Sequence, residues 1–218
     1  MDNKIHAYIE LSKIFNNHGY SLYLVGGTVR DYLLNIPLTD LDVVSDATPE
    51  EIRKFFPDED YTFAKYGSVK LHFVGYKFDV TTLREEKGYI DYRHPGEIKF
   101  VESLETDVKR RDFTINALYM DKDLNVIDLV NGQIDLNNKL IRMVGEPNQR
   151  IKEDPLRIIR AVRFRDNLGF ILDDSLLKAI ENNKHLVGKL NKSKIESEIA
   201  KALNKEKLMK SLKDLNIL

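Results

Sequence analysis

Apolar residues change their spacing once along this chain, and that change limits the possible folds more than any other feature. Up to about residue 145, short alternating or continuous apolar runs are broken by glycine, proline and acidic turns; from about residue 150 only helical spacing remains. In the first part, Ile5, Tyr8, Ile9, Leu11, Ile14 and Phe15 mark a helix over residues 4–17 that ends at Gly19. "SLYLV" reads as a short buried strand, and Gly26 and Gly27 turn it into a second helix, "TVRDYLLN". "DLDVVSD" is the next strand, and Thr48 with Pro49 and Glu51 opens a third helix. "GSVKLHFVGYKFDVTTL" alternates and breaks at "VGYK", as a hairpin does. In the second part, "EDPLRIIRAVRFRDNLGF" and "SKIESEIAKALNKEKLMKSLKDL" read as long helices. The expectation is an α+β unit over residues 1–145 followed by an all-helical unit over 146–218, with the boundary near "MVGEPNQR".

Composition removes several classes of function. No uninterrupted apolar run is long enough to span a bilayer, and the amino terminus is amphipathic and carries acids, so neither a membrane protein nor a secretory leader is expected. Cysteine is absent, which rules out disulfides and thiolate zinc sites and makes the cytoplasm the expected address. A net charge of -1 argues against binding nucleic acid by bulk electrostatics, so any such contact must be local.

Within "TDLDVV", Asp40 and Asp42 lie two positions apart, and on a strand they would point to one side. Two hard carboxylates at one point suit Mg²⁺, although an acidic turn before a strand has the same spacing. "VGGTVRD" lies just upstream, where glycines let backbone amides approach a phosphate. Asp79 in "KFDVTTL" offers a third carboxylate on a neighbouring strand, or an edge-strand acid facing solvent. "RRDFTINAL" supplies Arg111 as a fork for phosphate oxygens and Asn116 as an amide for hydroxyls, or else a surface ion pair. In "EDPLRIIRAVRF", read as one helix, Glu153 and Arg157 are i,i+4 neighbours and Asp154 and Arg157 are i,i+3, with Arg160 and Arg163 roughly along that face. Arginines among so many apolar residues would be partly buried and need an anionic partner.

Taken in order, "LYLVGGTVRDYLLN", "TDLDVV", "VKRRDFTINAL", "EDPLRIIRAVRF" and, more loosely, "SKIESEIAKAL" resemble the motifs of the class II tRNA nucleotidyltransferases, the CCA-adding enzymes and their bacterial poly(A) polymerase relatives. The resemblance covers essentially the whole chain. It implies a polymerase-β-like nucleotidyltransferase head for residues 1–145 and a helical neck for 146–218, with the family's body and tail expected to be missing. The implied activity is template-independent addition of C and A, from CTP and ATP, to the 3' end of tRNA. Asp40 and Asp42 would bind Mg²⁺, with Asp79 at the third acidic strand position. Gly26, Gly27 and Arg30 would hold the triphosphate, and Arg111, Asp112 and Asn116 would contact ribose and phosphates. Asp154 and Arg157 would read the base edge, Glu153 would orient Arg157, and Arg160 and Arg163 would complete the nucleotide pocket.

Poly(A) polymerases and enzymes adding only CC or only A share these motifs; a non-catalytic RNA-binding module would not need the aspartates and the nucleotide pocket together. Residues 84–100, "REEKGYIDYRHPGEIKF", read as a mobile loop. By resemblance, enzymes that add the terminal A keep such a loop, so full CCA addition is expected. The five histidines read as structural or solvent-exposed. Lys201, Lys205, Lys207, Lys210 and Lys213, interleaved with Glu196, Glu198, Glu206 and Asp214, read as a solvated helix face. Oligomeric state is left open.

Overall fold

Helix and strand order in the computed structural model, which describes residues 2–89 and 95–218, follows the change of spacing except for a two-residue strand at 171–172 within the stretch expected to be all helical, and the two compact units interleave along the chain. Residues up to 86, 98–111 and 115–132 form the first unit; residues 87–97, 112–114 and 133–218 form the second. A single cut at residue 145 therefore does not describe them: residues 133–145 cluster with the helices that follow.

The first unit contains helix α1 (Asn3–Asn17), strand β1 (Leu22–Val25), α2 (Gly27–Leu33), β2 (Leu41–Ser45), α3 (Pro49–Phe55), β3 (Ser68–Phe73) and β4 (Tyr76–Thr82). β5 (Arg84–Tyr89) and β6 (Pro95–Phe100), whose residues 87–97 cluster with the second unit, follow, then α4 (Leu104–Asp107), β7 (Leu118–Met120) and β8 (Val126–Asp128). A mixed sheet runs in the order β3-β4-β2-β1-β7-β8. β2 and β4 are parallel, and β1 is antiparallel to both β2 and β7. Thr48 opens α3 as expected and caps it in a capping box, its hydroxyl accepting from Glu51 N–H while the Glu51 carboxylate accepts from Thr48 N–H. The β3–β4 hairpin turns through Val74 and Gly75, both at positive φ (50° and 77°), which matches the twist of a two-residue hairpin. α1 buries Ile5, Tyr8, Leu11 and Phe15 and packs on β1. The Tyr8 hydroxyl, buried there, lies 3.0 Å from the carbonyl oxygen of Leu22 and 2.9 Å from that of Met120, tying the helix to β1 and β7 at once.

Residues 84–100 are not a plain loop: β5 and β6 pair as a two-stranded ribbon, and residues 90–94 lie outside the described residues. Only residues 97–100 alternate charged with apolar side chains; residues 84–87 are a charged run, and with the glycines and proline this hid the ribbon.

In the second unit are α5 (Gly132–Asn137), β9 (Leu140–Ile141), α6 (Pro147–Glu153), α7 (Leu156–Leu168), β10 (Ile171–Leu172), α8 (Asp174–Asn183), α9 (Lys192–Ala200) and α10 (Lys205–Asp214). α6 packs on α8, and α7 on α9 and α10. Its core includes Ile151, Ile158, Ile159, Val162, Leu176, Val187, Leu208 and Leu212. "EDPLRIIRAVRF" is not one helix. α6 ends at Glu153, Asp154 is extended (φ -146°, ψ 93°), and α7 begins after Pro155. A residue before proline is pushed out of the α region, so the chain breaks at Asp154. Among the described residues, no helix is long and apolar enough to cross a membrane.

Candidate functional site

The sheet of the first unit places two of the three candidate acids abreast. Asp42 on β2 is the register partner of Asp79 on β4, and β4 is an interior strand, so the edge-strand alternative for Asp79 does not hold. Asp40 immediately precedes β2 and is exposed. Burial, then the charges of Asp79 and Asp40, push the Asp42 carboxyl up to about 6; Arg111 and Lys77 offset only part of this. Lys77 Nζ is 3.4 Å from Asp79, and no side-chain cation pairs with Asp42 among the described residues. This surplus of negative charge and hard oxygen suits a divalent cation. It is not a preassembled cage: among the described residues, no three acidic or imidazole side chains converge at ligating distance.

β1, beside β2, ends in the glycine turn. Gly26 has φ 67° and ψ -130°, a conformation side-chain-bearing residues rarely adopt, and its N–H donates to the Leu118 carbonyl. A Cβ on Gly26 would lie 3.9 Å from an Arg111 guanidinium nitrogen and 3.7 Å from the Asn116 carbonyl oxygen, so these residues border the turn. Arg30, buried on α2, donates to Asn116 Oδ1 at 2.6 Å and to Asp31 at 2.8 Å. Asn116 thus meets Arg30 within the protein.

Sequence reasoning missed the group that holds Arg111. Asp107, fully buried, accepts from Arg111 (2.8 and 3.1 Å), from Arg110 Nε (2.8 Å) and from the Tyr119 hydroxyl (2.8 Å). Burial alone would raise its carboxyl; Arg111 and Arg110 outweigh that and hold it down at about 2. In a run of charged residues, nothing about the spacing of "ETDVKRRD" marks Asp107 as the buried one.

Asp112 follows Arg111 directly in the chain but falls in the other compact unit. It belongs to the second unit, where its carboxylate accepts from Arg160 Nε at 2.8 Å and from a terminal guanidinium nitrogen of the same arginine. Arg160 also approaches Glu198 (3.6 Å), and Arg163 donates to Glu198 at 2.7–2.8 Å. Glu198 is 2% exposed, so it is no part of a solvated face; it is the anion that the buried arginines of α7 require. Burial would raise Asp112 and Glu198, and the arginines outweigh it in both, lowering each; Arg160 is raised because Asp112 and Glu198 outweigh its own burial.

At the break between α6 and α7, Arg157 N–H donates to the Asp154 carbonyl at 3.1 Å, and the two side chains take further partners. The Asp154 carboxylate accepts from Leu156 N–H at 3.1 Å. Arg157, 5% exposed, donates to the Arg150 carbonyl at 2.5 Å and lies 3.3 Å from Glu153, whose same carboxylate oxygen also takes Arg150. The i,i+4 contact between Glu153 and Arg157 is therefore present although a helix break lies between them.

Residues 22–142 match the family model of the poly(A) polymerase head domain. Curated relatives include a CCA-adding enzyme of Pediococcus pentosaceus, 44% identical over 197 residues that cover 90% of this chain and 50% of the relative. Another, from Ligilactobacillus salivarius, is 45% identical over 185 residues, 85% of this chain and 46% of the relative. Among solved structures, the Bacillus stearothermophilus CCA-adding enzyme in complex with CTP is similar with a TM-score of 0.85 and 36% identity, covering 96% of this chain and 49% of that one. The chain spans about half the length of the curated relatives it matches.

Proposed function

The chain belongs to the poly(A) polymerase head-domain family, and from that premise we propose that it acts in template-independent addition of C and A, from CTP and ATP, to the 3' end of tRNA in the cytoplasm. The observation that carries the reading is the pairing of Asp42 with Asp79 on adjacent strands, next to the strand whose glycine turn is bordered by Arg111 and Asn116. Relatives named CCA-adding enzymes, and similarity to one bound to CTP, support it. Residues up to about 145 take the role of the head and residues 146–218 that of the neck, with Asp112 and residues 133–145 packing in the neck's cluster.

In this reading Asp40 and Asp42 hold Mg²⁺, and Asp79 adds to the negative field. When bound, the cation would supply Lewis acidity for attack of the 3'-hydroxyl on the α-phosphate, the nucleotidyl group being transferred as pyrophosphate leaves. The turn at Gly26 and Gly27, with Arg30 and Arg111, receives the triphosphate. Asp107 and Tyr119 fix the Arg111 fork before substrate arrives, so little side-chain entropy is lost on binding. Asn116 acts here through Arg30, which it orients.

Asp154 and Arg157 read the base edge. Cytosine and adenine each present an amino donor beside a ring-nitrogen acceptor, so one carboxylate and one guanidinium serve both; uracil and guanine reverse the pattern. Glu153 holds Arg157, and Asp112, Arg160, Arg163 and Glu198 stiffen the helix behind it. The test is incubation with tRNA lacking its 3' end, Mg²⁺ and labelled CTP and ATP. Incorporation of both nucleotides in the order C, C, A is expected; long A tracts would make the activity that of a poly(A) polymerase, and absence of incorporation would overturn the reading.

A further inference from the structure

Thr28, the residue after the two glycines, connects the phosphate turn to the aspartates through one hydroxyl. Its Oγ1 donates to the Asp40 carbonyl at 3.2 Å and accepts from Asp42 N–H at 3.0 Å. Thr28 is 4% exposed, so these bonds are shielded from competing water. They bracket the two peptide units that join Asp40 to Asp42. Leu41 between them is buried and fixes the strand's face, whereas Asp40 lies outside β2 and draws no support from the ladder. On the other flank, the Lys4 ammonium of α1 donates to the Leu38 carbonyl and reaches that of Thr39 at 3.4 Å. The stretch that carries Asp40 is thus held by side chains from two helices.

We propose that Thr28 is a positioning residue that fixes the Asp40–Asp42 backbone against the Gly26–Gly27 turn, so that the cation-holding carboxylates and the triphosphate turn keep one mutual geometry. The proposal rests on the metal role assigned above to Asp40 and Asp42. A hydroxyl can donate and accept at once, which valine, of the same shape, cannot do; serine keeps both functions. Removing it leaves the Asp42 N–H and the Asp40 carbonyl without their partner and lets the aspartates drift from the turn.

Two measurements on the metal-free protein test this, with wild type, Thr28→Val, Thr28→Ser and Asp42→Asn compared. Amide hydrogen exchange at Asp42 is expected to accelerate roughly tenfold in Thr28→Val and to stay near wild type in Thr28→Ser, with Val44 on the same strand unchanged. Titration with Mn²⁺, read by electron paramagnetic resonance, is expected to give binding weakened by roughly tenfold in Thr28→Val, restored in Thr28→Ser and lost in Asp42→Asn. Wild-type protection of Asp42 in Thr28→Val overturns the proposal, as does wild-type Mn²⁺ affinity in that variant. Acceleration that includes Val44, or Thr28→Ser behaving like Thr28→Val, also overturns it, because the role is then general support of the strand or methyl packing. Failure of wild type to bind Mn²⁺ removes the metal assignment instead, and exchange at Asp42 then decides alone whether Thr28 fixes the backbone.

Discussion

The acids of the first unit's sheet and the acids around α7 in the second unit sit among neighbours of opposite sign, so ionisation is opposed in one place and favoured in the other. Asp42 faces Asp79 and Asp40, and its carboxyl is pushed up to about 6. Asp112 and Glu198 face Arg160 and Arg163, and both carboxyls are lowered. A folded chain that leaves carboxylates in mutual repulsion bears a cost that a bound cation or a proton removes, whereas a balanced network serves the fold itself. Burial does not separate Asp42 from Asp112, since both are partly withdrawn from water. The sign of the neighbours does.

Substitution in each region should therefore give opposite patterns of activity and stability. The largest effect is expected for Asp42→Asn, with nucleotide transfer falling by at least about a thousandfold. Its thermal midpoint without metal should rise at neutral pH. The folded-state pKa of Asp42 is raised, so its contribution favours the folded state at low pH and is lost as pH climbs from about 4 through about 6; asparagine removes that loss, by roughly 1–3 kcal/mol, and the gain should vanish near pH 4. A lower midpoint at neutral pH in calorimetry would mean that Asp42 is a structural acid. Glu198→Ala should do the reverse, destabilising by roughly 3–5 kcal/mol in denaturant titration because Arg163 loses its buried anion. A loss below about 1 kcal/mol would place Glu198 with the solvated charges after all.

Asp154 and Arg157 are an intermediate case, and exchanging them, Asp154→Arg with Arg157→Asp, sharpens the comparison. Each mismatched hydrogen bond to a base costs roughly 1–3 kcal/mol, so preference for CTP and ATP over UTP and GTP should fall by about a hundredfold or more and tend to invert, at some cost in rate. Unchanged preference in competition assays would assign these residues to the helix junction alone. The smallest effect is expected at Asp107. Its folded-state pKa is depressed, so its contribution is complete above about pH 4 and lost as pH falls through about 2; the window is worth on the order of 2 kcal/mol. Asp107→Asn should be less stable than wild type at pH 6, with the gap narrowing across that window.

How much of this could be read from the sequence depended on whether the deciding interaction was local. The helix start at Thr48, the hairpin at "VGYK" and the DxD strand were legible because each is written within a few residues. The pairing of Asp79 with Asp42 needed the order of strands, which spacing alone left open between an interior and an edge position. Pro155 was in plain view, yet helical arithmetic treated residues 153–163 as uniform and passed over the restriction on Asp154. Asp107 and Glu198 were hidden for another reason. Each is one acid among several in a charged run, and only packing from distant segments decides which one is buried. The division of Arg111 from Asp112 was equally invisible, because adjacency in the chain suggested a shared task.

The parallel register of β2 with β4 also bears on how the chain reaches this state. The two strands are distant in sequence and joined through α3 and β3, so their ladder closes only after a costly loop is ordered. Asp42 and Asp79 meet at that moment, and their repulsion opposes the last step of zippering. Leu41 beside Phe78 and Val43 beside Val80, all buried and flanking the acids in the same ladder, are what pull the strands together. The site thus depends on its flanks: burial of the apolar pairs supplies the free energy against which the charged pair is held in register.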